Sequence, residues 1–190
     1  MRQNNIITEH NKLFQLYTAG AVFCAIDTET TGLSATNGHV VEIGALKFSQ
    51  RGVIDSYSVL INPGCAMPYE ASRVNGITDE MLVDCPFINK ILPDFVSFID
   101  NSILVAHNIG FDLKFLNKEL ERQGYNKITN KGADTLRISK TLLPEMPSHK
   151  LQQLASSLGL DPGKAHRAYD DARVCMELFI HCMDTYRDSL

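Results

Sequence analysis

Short apolar runs and longer stretches of helical periodicity alternate along the chain. Residues 22–26 form an apolar run that ends abruptly at Asp27, which is typical of a buried strand. Apolar residues alternate along residues 39–48, and residues 53–61 follow after a turn that contains Gly52. Because only short turns separate these predicted strands, we expect an antiparallel meander.

From Tyr69 onwards the pattern changes to helical spacing, interrupted by short strands predicted at residues 102–106 and 128–133. The predicted helices span residues 70–75, 78–83, 86–99, 112–123, 134–142, 148–158 and 167–186. A meander followed by alternating strands and helices indicates one α/β domain with a mixed sheet. Residues 8–18 can form a short helix, so we predict an N-terminal extension over residues 1–20 and a single domain over residues 21–190.

The composition is that of an ordinary globular protein, with 44% hydrophobic and 21% charged residues. No apolar run approaches the roughly 18 residues of a membrane span, and the polar N-terminus argues against a secretory signal. The five cysteines are odd in number and scattered, which is typical of reduced thiols. We therefore expect a cytoplasmic protein with no membrane partner.

Two acids close the first predicted strand. Along an extended chain Asp27 and Glu29 point to the same side, whereas Thr28 points to the other. Two like charges at the end of a buried strand repel each other, and burial without compensation raises their pKa values or costs several kcal/mol. A divalent cation removes this conflict. A solvated Asp-x-Glu turn is the alternative interpretation.

Two further acids begin the apolar faces of predicted helices. Asp112 is followed at helical spacing by Leu116 and Leu120, and Asp171 is followed by Cys175 and by Leu178 and Cys182. Each Asp could simply complement the positive end of its helix dipole. That alternative does not explain why both acids face the core alongside the acids of the first strand. Asp170 is the rival carboxylate, but it lies off the apolar stripe by about 100°.

His166 precedes Asp171 by five residues, just outside the last predicted helix. A histidine there is commonly a surface or capping residue, but beside a cluster of carboxylates it is a natural general base. The oxygen ligands of the four acids favour Mg²⁺ or Mn²⁺ over zinc. Two such ions about 4 Å apart suit in-line displacement at a phosphodiester.

The formal net charge of −4 does not exclude a nucleic-acid partner. The four acids assigned to the metal site carry this charge themselves, and two divalent ions would neutralise it. Only the local placement of charge can therefore indicate whether the protein binds nucleic acid.

Three segments of the chain, 27–32, 107–112 and 166–171, resemble the three motifs of the DEDDh family of exonucleases. The sequence is similar to the proofreading exonucleases of bacterial replicative polymerases, the DNA polymerase III epsilon subunit and its relatives. The similarity runs from about Val22 to Phe179. It implies a ribonuclease H-like fold, in which a five-stranded mixed sheet is flanked by helices.

The resemblance also implies roles for individual residues. The acids that match the metal ligands of the family are Asp27, Glu29, Asp112 and Asp171. Asp27 would bridge both ions, Glu29 and Asp171 would complete one site, and Asp112 would support the other. His166 matches the general base that deprotonates the attacking water, and it is also a candidate substrate-binding residue. Asp134 matches a recurrent acid of the family, but we interpret it as a helix cap.

The terminal nucleotide pocket of the family maps onto two groups of residues. Thr28 and Glu29 would lie near the 3′-hydroxyl, and Val74, Asn75 and Phe111 would lie beside the base. Stacking on Phe111 would accept any base, although ordinary core packing explains this side chain equally well. Lys150, Lys164 and Arg167 would contact phosphates, or would be solvated surface charges.

The function predicted by the resemblance is that of a metal-dependent 3′→5′ exonuclease. It would release nucleoside 5′-monophosphates from single-stranded or frayed DNA ends, in proofreading or repair, with a DNA polymerase subunit as a candidate partner. One alternative is an exoribonuclease, because no motif reads the sugar. A non-catalytic nucleic-acid or polymerase-binding module is another, but the intact acids and His166 argue against it.

Overall fold

Strand β1 (Phe23–Thr30) lies at the centre of a five-stranded mixed sheet in the computed structural model, which describes residues 5–190. The strand order is β3-β2-β1-β4-β5. The predicted meander is confirmed, because β1 pairs antiparallel with β2 (Val40–Ser49), and β2 pairs antiparallel with β3 (Gly52–Leu60). On the other side of β1 the pairing is parallel, through β4 (Ile103–Ala106) and β5 (Gly132–Asp134).

Helices cover both faces of the sheet. They are α1 (His10–Thr18), α2 (Tyr69–Asn75), α3 (Asp79–Leu82), α4 (Ile88–Ile99), α5 (Ile109–Arg122), α6 (Thr135–Leu142), α7 (Leu151–Leu158) and α8 (Ala168–Asp188). None of the helices in residues 5–190 is both long enough and apolar enough to cross a membrane.

The alternation of β1 divides the interior into two cores. Phe23 and Ala25 belong to the core that contains Phe179 of α8. Cys24 and Ile26 belong to the core on the other face, which contains residues of α4 and α5. By the same alternation Asp27 and Glu29 continue the row that faces α8, and Thr28 continues the row that faces α5.

Helix α1 is part of the α8 core. Its residues Leu13 and Tyr17 are buried there, and the Tyr17 ring packs edge-on against Phe179, with 5.9 Å between the ring centroids. The predicted helix near the N-terminus is therefore present. The division between an extension over residues 1–20 and a domain over residues 21–190 stays a prediction, and residues 1–4 lie outside the described range.

Several helices and strands begin at other residues than predicted. Helix α5 begins three residues before Asp112, because Asn108 adopts a left-handed backbone (φ 71°) and its carbonyl accepts the Phe111 N–H. Strand β5 is shorter than the predicted strand at 128–133. The side chain of Asn117 accepts the Ile128 N–H. The side-chain amide of Asn130 donates to the carbonyls of Asp100 and Ser102, in the segment between α4 and β4.

Most of the five free cysteines are buried, as expected of reduced core thiols, whereas Cys65 is exposed and Cys85 is partly buried. Cys24, Cys175 and Cys182 are buried, and burial raises the pKa values of Cys24 and Cys182 to about 12. Such thiols are mostly protonated at neutral pH and are poor nucleophiles.

Gly44 of β2 allows α8 to approach the sheet. A Cβ atom added at Gly44 would overlap the backbone of Ala168 and Tyr169 in the first turn of α8. Gly44 pairs with Asp27 across the β1–β2 ladder, so this close approach occurs directly beside the first acid of β1.

Replacing Gly44 by alanine should therefore destabilise the protein, by about 1–3 kcal/mol or more, because the added methyl meets backbone that cannot rotate away. The measurement is the free energy of unfolding in urea. Gly110→Ala is the matched control, since a Cβ atom at Gly110 has open space, and its stability should be unchanged or slightly higher. Equal stability of the two variants would contradict the role assigned to Gly44.

Candidate active site

The predicted acids meet at the carboxyl end of β1. Asp27 and Glu29 come from β1 itself, Asp112 from the first turn of α5 and Asp171 from the first turn of α8. Asp112 and Asp171 are only 3% and 7% exposed, although each is a charged residue type. Both apolar stripes predicted behind these acids are buried, so their placement on the inward faces is confirmed.

Thr28 holds Asp112 in place. Both its backbone N–H and its hydroxyl donate to Oδ1 of Asp112, over 3.0 and 2.8 Å. Thr28 faces the α5 side of the sheet, as the alternation of β1 predicts. Its two donors are therefore engaged with Asp112, and the proposed contact of Thr28 with a 3′-hydroxyl stays a prediction.

Asp171 is held by two donors, one to each carboxylate oxygen. Oδ1 accepts from the side-chain amide of Gln152, and Oδ2 accepts from the backbone N–H of His166 over 3.0 Å. The rival acid, Asp170, accepts instead from the backbone N–H of Lys164 over 3.1 Å and lies 3.9 Å from the guanidinium of Arg173. Asp171 is therefore the acid that faces the interior, as predicted.

These acids are buried, and burial disfavours their charged form. Burial, as the largest cause, raises the pKa of Asp27 well above its ordinary value, and repulsion from the neighbouring acids adds to it. Those neighbours, in order of effect, are Asp112, Asp171, Glu29 and Glu42. Burial and then repulsion from Asp171 raise the pKa of Glu29 to about 7, and burial also raises the pKa of Asp112. The cluster would therefore be stabilised by positive charge.

Three of the predicted site residues have ligand atoms close enough to share a metal ion. One ligand atom from each of Glu29, His166 and Asp171 lies within 4.8 Å of the others. Carboxylate oxygens and an imidazole nitrogen are acceptable ligands for divalent ions such as Mn²⁺, and carboxylates alone suit Mg²⁺. The donor set and the raised pKa values therefore fit a divalent cation at this end of β1.

His166 lies on an exposed loop that precedes α8, outside the helix as predicted. Its backbone is left-handed (φ 59°), a conformation that is uncommon for residues other than glycine. Its backbone N–H bonds to Asp171, whereas its side chain lies near Glu29 and Asp171.

The residues predicted to surround the terminal base differ in their exposure. Val74 is 60% exposed, and Asn75 is buried, where its amide donates to the carbonyl of Thr30 over 3.4 Å. A hydrogen bond from Asn75 also lowers the pKa of Glu29, against the larger effect of burial. Phe111 is partly buried, and its ring lies 5.0 Å from that of Phe115. Asn75 therefore connects the end of β1 to α2, next to the exposed side chain of Val74.

A groove of about 890 Å³ opens beside Asp27, Asp171 and His166. Its walls include residues that the sequence analysis did not assign, among them His107, Lys140, His149 and Gln152, together with Lys150. Asp134 is confirmed as a cap, because its Oδ1 accepts the backbone N–H groups of Asn108 and Leu136.

The structure changes the interpretation of Arg167, which was considered as a phosphate contact or a surface charge. Its guanidinium binds both carboxylate oxygens of Glu42, over 2.8 to 3.2 Å. The sequence analysis missed Glu42 as a site residue. A signal was available, because a lone glutamate inside a predicted buried strand requires a partner.

Comparison with known proteins agrees with this architecture. The profile of the Exonuclease family (RNase T) matches residues 24–179. A DNA polymerase III subunit epsilon from Treponema pallidum is 46% identical over 159 residues, which cover 83% of this chain and 74% of that protein. A PolC-type DNA polymerase III from Thermotoga petrophila is 38% identical and covers 86% of this chain, but the match spans only 12% of that much longer relative.

A solved structure of exonuclease X in complex with 5′ overhanging duplex DNA superposes with a TM-score of 0.67 and 25% identity, covering 86% of this chain and 92% of that one. The predicted ribonuclease H-like fold and the resemblance to epsilon subunits are thus confirmed. Since the family profile extends from β1 into α8 and includes all three acidic motifs, the chain belongs to the Exonuclease (RNase T) family.

Proposed function

We propose that the protein is a metal-dependent 3′→5′ exonuclease that removes nucleotides from single-stranded or frayed 3′ ends of DNA. The observation that carries this proposal is the convergence of four acids at the end of β1, where burial and mutual repulsion raise the pKa values of Asp27, Glu29 and Asp112. Proofreading or repair during replication is the corresponding cellular role, and the epsilon subunit of Treponema pallidum supports it.

The four acids would hold the divalent ions, each from an element that fixes its position. Asp27 would serve both ions, Glu29 and Asp171 would hold one of them, and Asp112 would support the other. Thr28 fixes Asp112, and Gln152 fixes Asp171, through the hydrogen bonds described above. Two bound Mg²⁺ or Mn²⁺ ions would stabilise the charge that develops on the attacking and leaving oxygens of the phosphodiester.

His166 accepts the proton of the attacking water on an imidazole nitrogen. Its exposed position on the loop before α8 leaves the ring accessible to water, and a ring nitrogen lies close to the carboxylates of Glu29 and Asp171. The ordinary pKa of histidine lies close to neutral pH, which suits a general base.

The terminal nucleotide lies between the end of β1 and α2. Glu29 and Thr28 contact its 3′-hydroxyl, Val74 and Asn75 lie beside the base, and Phe111 offers a ring for stacking. Such contacts read no particular base, which fits stepwise degradation of any sequence.

DNA is the proposed substrate, and a DNA polymerase is the proposed partner. Exonuclease X binds duplex DNA with a 5′ overhang, and the PolC-type relatives carry the matching segment within a long polymerase chain. We also infer that the protein works in the cytoplasm, where bacterial replication takes place.

The direct test of the proposed function uses a 5′-labelled oligonucleotide with Mg²⁺. A ladder that shortens from the 3′ end is expected, because the pocket accepts one terminal nucleotide. Unpairing a terminal base costs a few kcal/mol and is easiest at a mismatch, so single strands and 3′ mismatches should react faster than matched ends. A matched RNA oligonucleotide should react more slowly. Cleavage of a circular single strand would contradict the proposal.

Replacing Asp27 by asparagine should abolish turnover and stabilise the metal-free protein. The folded-state pKa of Asp27 is raised, so its destabilising effect is absent at pH values below about 4 and grows as the pH rises through the folded-state value. At pH 8 in excess chelator, Asp27→Asn should raise the free energy of unfolding, because the neutral amide removes both the burial of a charge and the repulsion from the neighbouring acids.

The control for this measurement is Asp184→Asn, which removes an exposed acid of α8 and should change stability little at any pH. Adding Mg²⁺ should stabilise the wild type and leave Asp27→Asn nearly unaffected. Full turnover of the wild type in excess chelator would exclude the metal assignment.

Replacing His166 by alanine should lower kcat by roughly 10²–10⁴-fold, the usual scale for general base catalysis. The affinity for Mn²⁺, measured by calorimetric titration, should remain nearly unchanged, because the carboxylates suffice as ligands. A large loss of metal affinity with little change in the chemical step would instead identify His166 as a metal ligand.

A further inference from the structure

Glu42 is an acid buried within the sheet. It lies in β2 directly opposite Glu29 in the β1–β2 ladder and is only 2% exposed. A carboxylate at such a position requires partners that compensate for the lost water. Its partners therefore reveal what the residue does.

Within residues 5–190, the hydrogen-bond partners of Glu42 are Arg167 and Ala168, the two residues that follow His166. Nε of Arg167 lies 3.2 and 3.1 Å from the two carboxylate oxygens, and a terminal nitrogen of Arg167 lies 2.8 Å from Oε1. The backbone N–H of Ala168 donates to Oε2 over 3.1 Å. Glu42 thus binds a guanidinium side-on and also binds the first residue of α8.

The loop that carries His166 is held on its other side by two acids. Asp170 accepts the N–H of Lys164, and Asp171 accepts the N–H of His166. The left-handed backbone of His166 (φ 59°) costs free energy and persists only when the surrounding contacts determine it. The Glu42 contacts are the ones that hold the chain directly after this residue.

Glu42 itself is poorly suited to bind a metal or substrate. Both of its oxygens accept hydrogen bonds from Arg167, and Oε2 also accepts from Ala168, so its lone pairs are largely used. Its charge is compensated by a guanidinium that is itself largely covered, with 26% of the side chain exposed. Besides the repulsion that it exerts on Asp27 and Glu29, Glu42 acts through the segment 166–168, to which all four of these hydrogen bonds lead.

We propose that Glu42 is a positioning residue for His166. It binds Arg167 and the N-terminus of α8, and thereby keeps the imidazole over the carboxylate cluster in the orientation needed to accept a proton. This proposal rests on the proposed function, because it assumes that His166 is the general base.

The variant Glu42→Gln keeps the size of the side chain but removes its charge and one acceptor. It should lower kcat roughly 10–100-fold, the scale reported for misplaced catalytic groups and lost supporting contacts. KM for the oligonucleotide should change little, because the residues of the nucleotide pocket, all within the described range, make no hydrogen bond to Glu42. The rates are compared at saturating Mn²⁺, because the charge of Glu42 also acts on Asp27 and Glu29.

The decisive measurement is a double-mutant cycle with His166→Ala, read as single-turnover rates with excess enzyme. If Glu42 acts through His166, Glu42→Gln causes no further loss of rate once His166 is absent. Additive losses would overturn the proposal, because they would show that Glu42 acts on another part of the site.

Glu119→Gln is the matched control. Glu119 is also a buried glutamate bound by an arginine, with Oε1 lying 2.8 Å from Arg122, but it lies on α5 two helical turns beyond Asp112. Any loss of rate in Glu119→Gln should persist fully in the His166→Ala background. If His166→Ala also abolished the rate loss caused by Glu119→Gln, the cycle would not distinguish Glu42 from other buried acids, and the inference would be overturned.

Arg167→Lys tests the same contact from the other side, and it serves if Glu42→Gln does not fold. Lysine keeps the positive charge but cannot bind a carboxylate side-on. A loss of kcat like that of Glu42→Gln supports positioning. An unchanged kcat would overturn it, because lysine preserves the positive charge and would be sufficient if Arg167 only attracted phosphate.

Amide hydrogen exchange separates this proposal from the proposed function. In Glu42→Gln the amides of His166 and Ala168 should exchange at least tenfold faster than in the wild type, while those of α5 remain unchanged. Wild-type protein without exonuclease activity would refute the proposed function only. Unchanged exchange at residues 166–168 would refute the positioning role, whatever the activity.

Discussion

The close contact between the first turn of α8 and strand β2 is the constraint on which the site depends. Because Gly44 has no side chain, the backbone of Ala168 and Tyr169 lies directly on the sheet at this residue. Gly44 pairs with Asp27 in the β1–β2 ladder. This approach brings Asp171 to the acids of β1 and brings Arg167 to Glu42. A larger residue at position 44 would lift the helix and separate the groups that carry the chemistry.

This contact also concentrates negative charge in a place that water reaches poorly. The pKa values of Asp27, Glu29 and Asp112 are all raised, so these acids, which we propose as metal ligands, lower the stability of the metal-free folded chain. Bound cations would relieve the repulsion among these acids, because each carboxylate would then be attracted to a positive charge. Stability and activity are thus opposed in the metal-free protein and aligned in the metal-bound protein.

Local pattern was enough to predict the sheet, the shared face of Asp27 and Glu29, and the inward stripes behind Asp112 and Asp171. These features depend on the periodicity of strands and helices, which is visible within a few residues. Glu42 and Gln152 were missed, because their partners lie 125 and 19 residues away. The predicted strand indicates that Glu42 needs a partner but not which one, and Gln152 fits an ordinary position in its helix. The early start of α5 depends on the left-handed backbone of Asn108, which no periodicity reveals.

The acids and His166 belong to parts of the chain that differ in how firmly they are anchored. The acids lie on β1, α5 and α8, which are anchored in the two cores, whereas residues 161–166 are all exposed and are held by a few hydrogen bonds to side chains. Segments of this kind open locally well below the temperature at which a core unfolds. We therefore expect warming to displace His166, the proposed base, before the acids move, so that turnover falls while metal binding persists and recovers on cooling.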